Sequence, residues 1–373
     1  MNLTGAEVLP YSLPLRTPLP LVRRGTLHER VGFLLRVRAG GVTGYGEASP
    51  VWWSGDDSLE AVWRDLRSFV SALNRGGVCA DRLRHALRGD VGSASDCERD
   101  LARQARFGSR AALCAIDTAL LDLEARECNC TCAALLGAMP LATVECNALL
   151  VEPEPGEAAA AASVFLEKGF RSLKLKVGTQ PLERDIERVA AVCDACNGKA
   201  RIRLDANRAW EARTARKALD ALAKRDVEYV EEPLASPSPE ALGRLRRATS
   251  VAIAVDESIA GVEDVARYAS AGACDVVILK PARIGGPSRV IEAATTAVAA
   301  GLRVTCTDSI ETAVGRAVVV HTAAALPGPQ GAVGLGGCFL LARDVTESVI
   351  VPRPRVEVRG PGLGTIELRR DIE

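Results

Sequence analysis

The sequence predicts an α/β protein built as a (β/α)8-type barrel with a smaller α+β domain in front of it. Three observations lead there. From residue 143 onward, short β-branched or aliphatic runs alternate with amphipathic stretches, and the ends of the runs recur about every 25 residues. The first 125 residues instead place strands first and helices afterwards, the pattern of a separate α+β unit. Aromatic residues make up only 4% of the chain while Ala, Val, Leu and Gly abound, which suits helices on a parallel sheet better than a β-sandwich.

In chain order, the N-terminal unit opens with strands over residues 3–11 and 29–39, and the Gly40-Gly41 turn leads into a third over 43–48. Helices are expected over 58–73 and 109–125. Barrel strands follow at 143–149, 172–177, 201–205, 227–231, 251–256, 275–280 and 303–307, with a weaker eighth near 332–335. Between them lie helices at 156–168, 182–197, 212–224, 239–248, 261–271, 288–300 and 312–325. An open doubly wound sheet would show a Gly-rich turn after its first strand, and none is present. The tail holds one more strand, 356–359, and a turn-rich stretch, 360–364. It is too short to fold alone and is expected to pack back on the first unit. The division is therefore 1–125, an α+β cap; 126–340, the barrel; and 341–373, the returning tail.

Composition narrows the function. Among 373 residues, 47 basic side chains balance 47 acidic ones, so no charge of one sign is available for a nucleic-acid partner. No apolar run reaches the roughly 18 residues of a membrane span, and residues 1–10 lack a signal-peptide pattern, so a soluble cytoplasmic protein with no membrane partner is expected. The 12 cysteines are too sparse for a disulfide scaffold. Cys128, Cys130 and Cys132 alternate and Cys193 and Cys196 have C-x-x-C spacing, but neither cluster is joined by a second ligand pair, so they read as small buried hydrophobes.

Barrel enzymes place their chemistry at the C-terminal ends of the strands. Here the second strand ends with Lys174 and Lys176, the third with Asp205, the fourth with Glu231 and Glu232, the fifth with Asp256 and Glu257, and the sixth with Lys280. Any one of these taken alone is an ordinary helix cap or solvated rim residue. Their order is what stands out: three carboxylates from successive strands suit a hard cation such as Mg2+, and lysines flank them on both sides.

The stretches Lys174-Leu175-Lys176, Leu204-Asp205-Ala206-Asn207, Glu231-Glu232-Pro233, Asp256-Glu257-Ser258 and Lys280-Pro281 resemble the successive motifs of the enolase superfamily, muconate-lactonizing branch. The resemblance implies a modified TIM barrel, (β/α)7β, under a capping domain completed by the tail. It also implies Mg2+, for which Mn2+ can substitute, held by Asp205, Glu231 and Asp256. Lys176 would abstract a proton next to a substrate carboxylate, with Lys174 beside it and Lys280 across the ligand ring. Such a proton is weakly acidic, so the resulting ene-diolate needs positive charge aimed at it.

Within the superfamily, Gly46-Glu47-Ala48-Ser49-Pro50, Asp205 to Trp210, Ser309-Ile310-Glu311 and Gly334-Leu335 are most similar to the o-succinylbenzoate synthase family, dehydratases of menaquinone biosynthesis. That implies a small-molecule carboxylate substrate contacted by Asn207, Ser309, Glu311 and Gly334. N-succinylamino acid racemases share nearly all these motifs and, with other cycloisomerases or epimerases of the superfamily, stand as the alternative; a catalytically inactive binding barrel is the non-enzyme reading. Gly337-Cys338 departs from the polar residue expected in that turn. No acid lies in 332–338, which speaks against dipeptide epimerisation, and His321 falls inside a helix, as a packing residue would. Trp52 and Trp53 are placed to close over a substrate; His28, Arg16, Arg23 and Arg24 are loop candidates for its carboxylates. The Gly285-Gly286 turn offers a weak phosphate site at a helix N-terminus. Assembly into a homo-oligomer is left open.

Overall fold

The computed structural model describes residues 1–21, 25–51, 57–328, 331–347 and 351–372. Trp52, Trp53, Arg23 and Arg24 lie outside them. Strands β1 (Gly5–Leu21), β2 (Gly25–Ala39) and β3 (Val42–Ala48) form an antiparallel sheet in that order. The β1–β2 hairpin is longer than the expected strands. Pro14, Pro18 and Pro20 are accommodated because β1 is an edge strand, where a missing N–H faces outward, and its register shifts between Pro14 and Leu19.

Helices α1 (Leu59–Leu73), α2 (Ala80–Leu87), α3 (Asp96–Phe107) and α4 (Arg110–Glu127) cover the sheet. α4 lies directly on β3, because the third strand offers glycine where the helix crosses: a Cβ at Gly46 would stand 1.9 Å from the Ala115 carbonyl oxygen. α4 is consequently buried along nearly its whole length rather than on one face.

After the short α5 (Cys132–Leu136), the chain enters β4 (Thr143–Glu145) and β5 (Ala148–Leu150), which divide the single strand expected over 143–149. The barrel then alternates α6 (Pro155–Glu167), β6 (Ser172–Lys176), α7 (Leu182–Cys196), β7 (Arg201–Asp205), α8 (Ala212–Leu222), β8 (Val227–Glu231), α9 (Pro239–Arg247), β9 (Ile253–Val255), α10 (Val262–Ser270) and β10 (Val276–Leu279). It finishes with α11 (Pro281–Ile284), α12 (Pro287–Ala299), β11 (Arg303–Cys306) and α13 (Ala313–Ala324).

β5 to β11 form one parallel sheet in sequence order. Parallel bridges from Cys146 to Val333 and from Thr307 to Gly334 close it, so the weak eighth strand is present as a short bridging segment. The apolar faces of the strands pack outward against the helices in a continuous core. Inside, Tyr229, Ala254, Val276 and Ile278 fill one layer, and Arg203 lies 5.1 Å over the Tyr229 ring while donating to the Ala332 carbonyl at 2.6 Å. The interior is thus a filled floor, and the residues one step further along each strand form its mouth.

The tail strand, β12 (Arg355–Glu357), pairs with β4 beside the barrel, while Leu363 donates its N–H to Asp122 of α4 at 2.7 Å. The tail therefore touches both units.

Candidate active site

The parallel ladder fixes which residues share the mouth. Lys176 pairs with Asp205, and Asp205 with Glu231; Glu231 pairs with Ala254, two residues before Asp256. Because side chains alternate along a strand, Lys174, Lys176, Asp205, Glu231, Asp256 and Lys280 all point to the inside. The backbone just past these ends is strained: Asn207, Arg208, Glu232 and Ile310 have φ of 42°, 62°, 42° and 66°. For non-glycine residues each such conformation costs on the order of 1 kcal/mol or more, and clusters of them mark functional sites.

Within the mouth, ammonium and carboxylate groups alternate. Lys174 Nζ lies 2.8 Å from Asp205 and 2.9 Å from Glu231 Oε1; Lys176 Nζ lies 2.7 Å from Asp205 and 2.5 Å from Asn207 Oδ1; Lys280 Nζ lies 2.5 Å from Asp256. Burial alone would raise the Asp205 carboxyl, but Lys174 and Lys176 hold it below the usual range. Glu231, buried beside Asp205, is pushed up. Burial opposes the charge on Lys280 and Lys174, yet Asp256 and the Asp205–Glu231 pair outweigh it and raise both.

Among the described residues no three His, Cys, Asp or Glu side chains are gathered as a cage, since each carboxylate is turned to a lysine. The donor set nevertheless fits a hard divalent cation. Buried Asp256 Oδ1 is left without a hydrogen bond, which is costly for a carboxylate oxygen unless a further positive group completes it, whereas Glu231 Oε2 lies 2.8 Å from Lys174 Nζ.

The acids next to the three carboxylates have their own work. Glu232 accepts from the Asp256 N–H at 2.9 Å and the Ser258 N–H at 2.7 Å, so it shapes the turn presenting Asp256. Burial and the nearby Glu257 push its carboxyl up to about 7. Asn207 donates to Glu257 at 3.0 Å and thereby holds the amide that faces Lys176.

Other expected contacts sit further back. Glu311 is buried and turns to the Ser309 N–H rather than into the mouth, so its place is that of a loop brace. Ser309 Oγ is buried without a partner among the described residues. Gly334 lies in the closing segment, where a Cβ would stand 3.1 Å from Thr307 Cγ2. His28 and Arg16 are exposed, although the Arg16 N–H reaches the Leu340 carbonyl at 2.8 Å and brings the hairpin over the segment after the eighth strand.

The Gly285-Gly286 turn holds no free anion site: Asp117 of α4 accepts from the Ser288 N–H at 2.8 Å and itself caps α12. The sequence reasoning passed over Thr307 and Asp308 at the end of β11; an acid directly after a barrel strand was the readable signal.

A parallel barrel whose strands deliver lysine, three acids and lysine to a single mouth under an α+β cap defines an enolase-type barrel architecture. Residues 4–137 match the mandelate racemase / muconate lactonizing enzyme N-terminal domain, and residues 157–372 the enolase C-terminal domain-like family. The chain belongs to this family of the enolase superfamily.

Among its relatives, muconate cycloisomerase 1 of Rhodococcus opacus is 31% identical over 385 residues, covering 100% of this chain and 97% of that one. The o-succinylbenzoate synthase of Thermobifida fusca is 38% identical over 234 residues, 61% of this chain and 71% of that one. The structure of a muconate lactonizing enzyme from Pseudomonas fluorescens complexed with muconolactone superposes with a TM-score of 0.85 at 26% identity, covering 99% of this chain and 97% of that one. A dipeptide epimerase from Enterococcus faecalis, complexed with Mg and a dipeptide, gives 0.85 at 25% identity, with 98% and 100% covered.

Proposed function

We propose that the protein removes a proton α to a substrate carboxylate with Lys176, in a site where Asp205, Glu231 and Asp256 hold Mg2+. The observation that carries this is the placement of the two lysines. Lys176 ends β6 and Lys280 follows β10, with β7, β8 and β9 between them, so in a closed eight-membered ring they face each other across the carboxylates. A divalent cation bound there supplies positive charge to the oxygens of an enolised carboxylate. Lys176 takes the proton, Asn207 orients its amine, Lys280 places a cation on the other face, and the cap hairpin limits water at the rim.

The overall reaction we infer is dehydration to o-succinylbenzoate, with Lys176 removing the proton and returning it to the departing hydroxide. Support comes from the motifs of residues 46–50, 205–210 and 309–311 and from the 38% identity to the Thermobifida fusca synthase over 61% of this chain. The opposition of Lys176 and Lys280 favours a second reading, racemisation of an N-acylamino acid, which needs an acid–base group on each face. Purified protein given both substrates with Mg2+ separates them. Formation of o-succinylbenzoate is expected; racemisation without it replaces the first reading by the second.

A further inference from the structure

Cap and barrel meet along a seam outside the mouth, and one stretch of that seam is open. A cleft of about 270 Å³ lies between the ends of α2 and α3, the side of α4 and the first turns of α12. Its volume falls just under the roughly 300–1,000 Å³ of sites for drug-sized ligands, so it has room for a smaller molecule. Leu113, Leu136 and Ile291 line it with apolar surface, and Arg88, Arg106 and Arg289 bring three guanidinium groups to it.

The protein itself matches these cations poorly. The side chains of Arg88 and Arg106 make no hydrogen bond or ion pair among the described residues. Arg289 has Glu263 at 3.9 Å, beyond hydrogen-bond reach. Two acids line the cleft, Asp117 and Glu292. Asp117 spends both carboxylate oxygens on Ser288, accepting its N–H and its hydroxyl at 2.8 Å each, while Glu292 is exposed. One turn before Arg88, on the same face of α2, Arg84 is buried. Its Nη1 pairs with Glu124, but its Nε and Nη2 have no hydrogen-bond partner among the described residues. Arg84 and then Arg88 are the cations that act on Asp117, so both stand close to the cleft.

The walls also converge. A Cβ at Gly89 would stand 3.7 Å from Arg106 Nη1, so the guanidinium of α3 reaches the residue next to Arg88. On the barrel side, a Cβ at Gly285 would stand 3.0 Å from Leu113 Cδ2 and 3.2 Å from Arg289 Cδ, so an apolar side chain and the stem of an arginine meet over the turn before α12.

We propose that this cleft binds a small carboxylate with an apolar body, the carboxylate held by Arg88, Arg106 and Arg289 and the body laid against Leu113, Leu136 and Ile291. Guanidinium groups take carboxylates by paired hydrogen bonds, and apolar walls that exclude water strengthen the attraction. Bound there, the ligand touches helices of both domains and adds to the stability of their joint. The site is separate from the mouth and does not depend on the proton-abstraction reading.

Calorimetric titration of the full chain tests this in chelated buffer, which leaves the mouth without a divalent cation. The probes are octanoate, octylammonium and inorganic phosphate. Octanoate is expected to bind at one site with a Kd of about 1 mM or below, and at least about tenfold more tightly than either of the others. Replacing Arg88 and Arg289 together by Gln is expected to weaken octanoate by about tenfold or more. Arg106→Gln, a single change at an exposed position, is expected to weaken it by about threefold and serves if the double variant does not fold. Lys176→Ala, which alters the mouth alone, should bind octanoate as the wild type does. Octanoate should also raise the urea midpoint of the wild-type protein and not that of the arginine variants. The proposal is overturned by the absence of saturable octanoate binding, by equal binding of phosphate or octylammonium, by a Kd unchanged in the arginine variants, or by a Kd that moves with Lys176→Ala.

Discussion

Glu47, near the end of the third cap strand, accepts the backbone N–H of Thr312 at 3.0 Å, at the start of barrel helix α13. Its carboxylate also takes the Thr312 hydroxyl, the Gly315 N–H at 2.8 Å and the Tyr11 hydroxyl at 2.6 Å. A charged group of one domain thus caps a helix of the other, where exposed N–H groups favour negative charge. The helix begins directly after the loop bearing Asp308 and Ser309, so the same clamp positions that wall of the mouth. Replacing Glu47 by Ala orphans several buried donors and is expected to cost roughly 3 kcal/mol of stability. Urea unfolding measures this; an unchanged midpoint would mean that apolar packing alone holds the joint.

Gly46, one residue earlier, sets how near α4 can come. With a Cβ 1.9 Å from the Ala115 carbonyl oxygen and 2.8 Å from its carbon, both backbone atoms, Gly46→Ala has to push the helix off the strand. A loss of about 3 kcal/mol or more is expected in thermal or urea unfolding, against less than about 1 kcal/mol for Gly5→Ala, where nothing lies within 4 Å.

His321 supplies a pH dependence. It is buried in α13, and its Nδ1 accepts the Ala133 N–H at 3.3 Å. Burial pushes its pKa from 6.5 down to about 4. The folded pKa lies below the unfolded one, so the unfolded chain takes up the proton first as pH falls. The stability contribution is complete above about pH 6.5 and drains away down to about pH 4, by on the order of 3 kcal/mol in all. His321→Gln is expected to flatten stability across that window, as read by urea midpoints at several pH values; parallel curves for the two proteins would assign the acid lability elsewhere.

Much of this was readable from the sequence, for physical reasons. Strands β7 and β8 match their expected spans because apolar residues that pack on the outer helices (Ile202, Leu204, Val230) alternate with residues facing the barrel interior (Arg203, Tyr229), and each run ends in an acid at the mouth. The acids and lysines of the mouth were legible because they stand at the ends of those strands. Helices α2 and α3 were not anticipated, although Ser95 and Glu98 form a capping box whose spacing was in plain view. The Glu47 clamp spans 265 residues, and no local pattern announces it. The same holds for Asp308 and Gly337, where only the fold shows that the missing side chain at 337 makes room for the carboxylate of 308.

The metal assignment gives a graded expectation. Chelation with EDTA should abolish turnover, and Mg2+ or Mn2+ should restore it. Ala at Asp205, Glu231 or Asp256 should each lower activity by orders of magnitude with the fold retained. Full turnover of Glu231→Ala in chelated buffer would remove that residue from the ligand set.

The central claim is that Lys176 takes the α-proton, and deuterium exchange tests it most directly. In deuterium oxide with Mg2+, the wild-type protein should wash solvent deuterium into the α-position of its carboxylate substrate, or form the elimination product with a primary isotope effect when that position is deuterated. Lys176→Ala should lose both by a factor of roughly 1,000 or more while circular dichroism and substrate binding persist. Exchange at an undiminished rate in Lys176→Ala would contradict the account and move the base to another residue of the mouth.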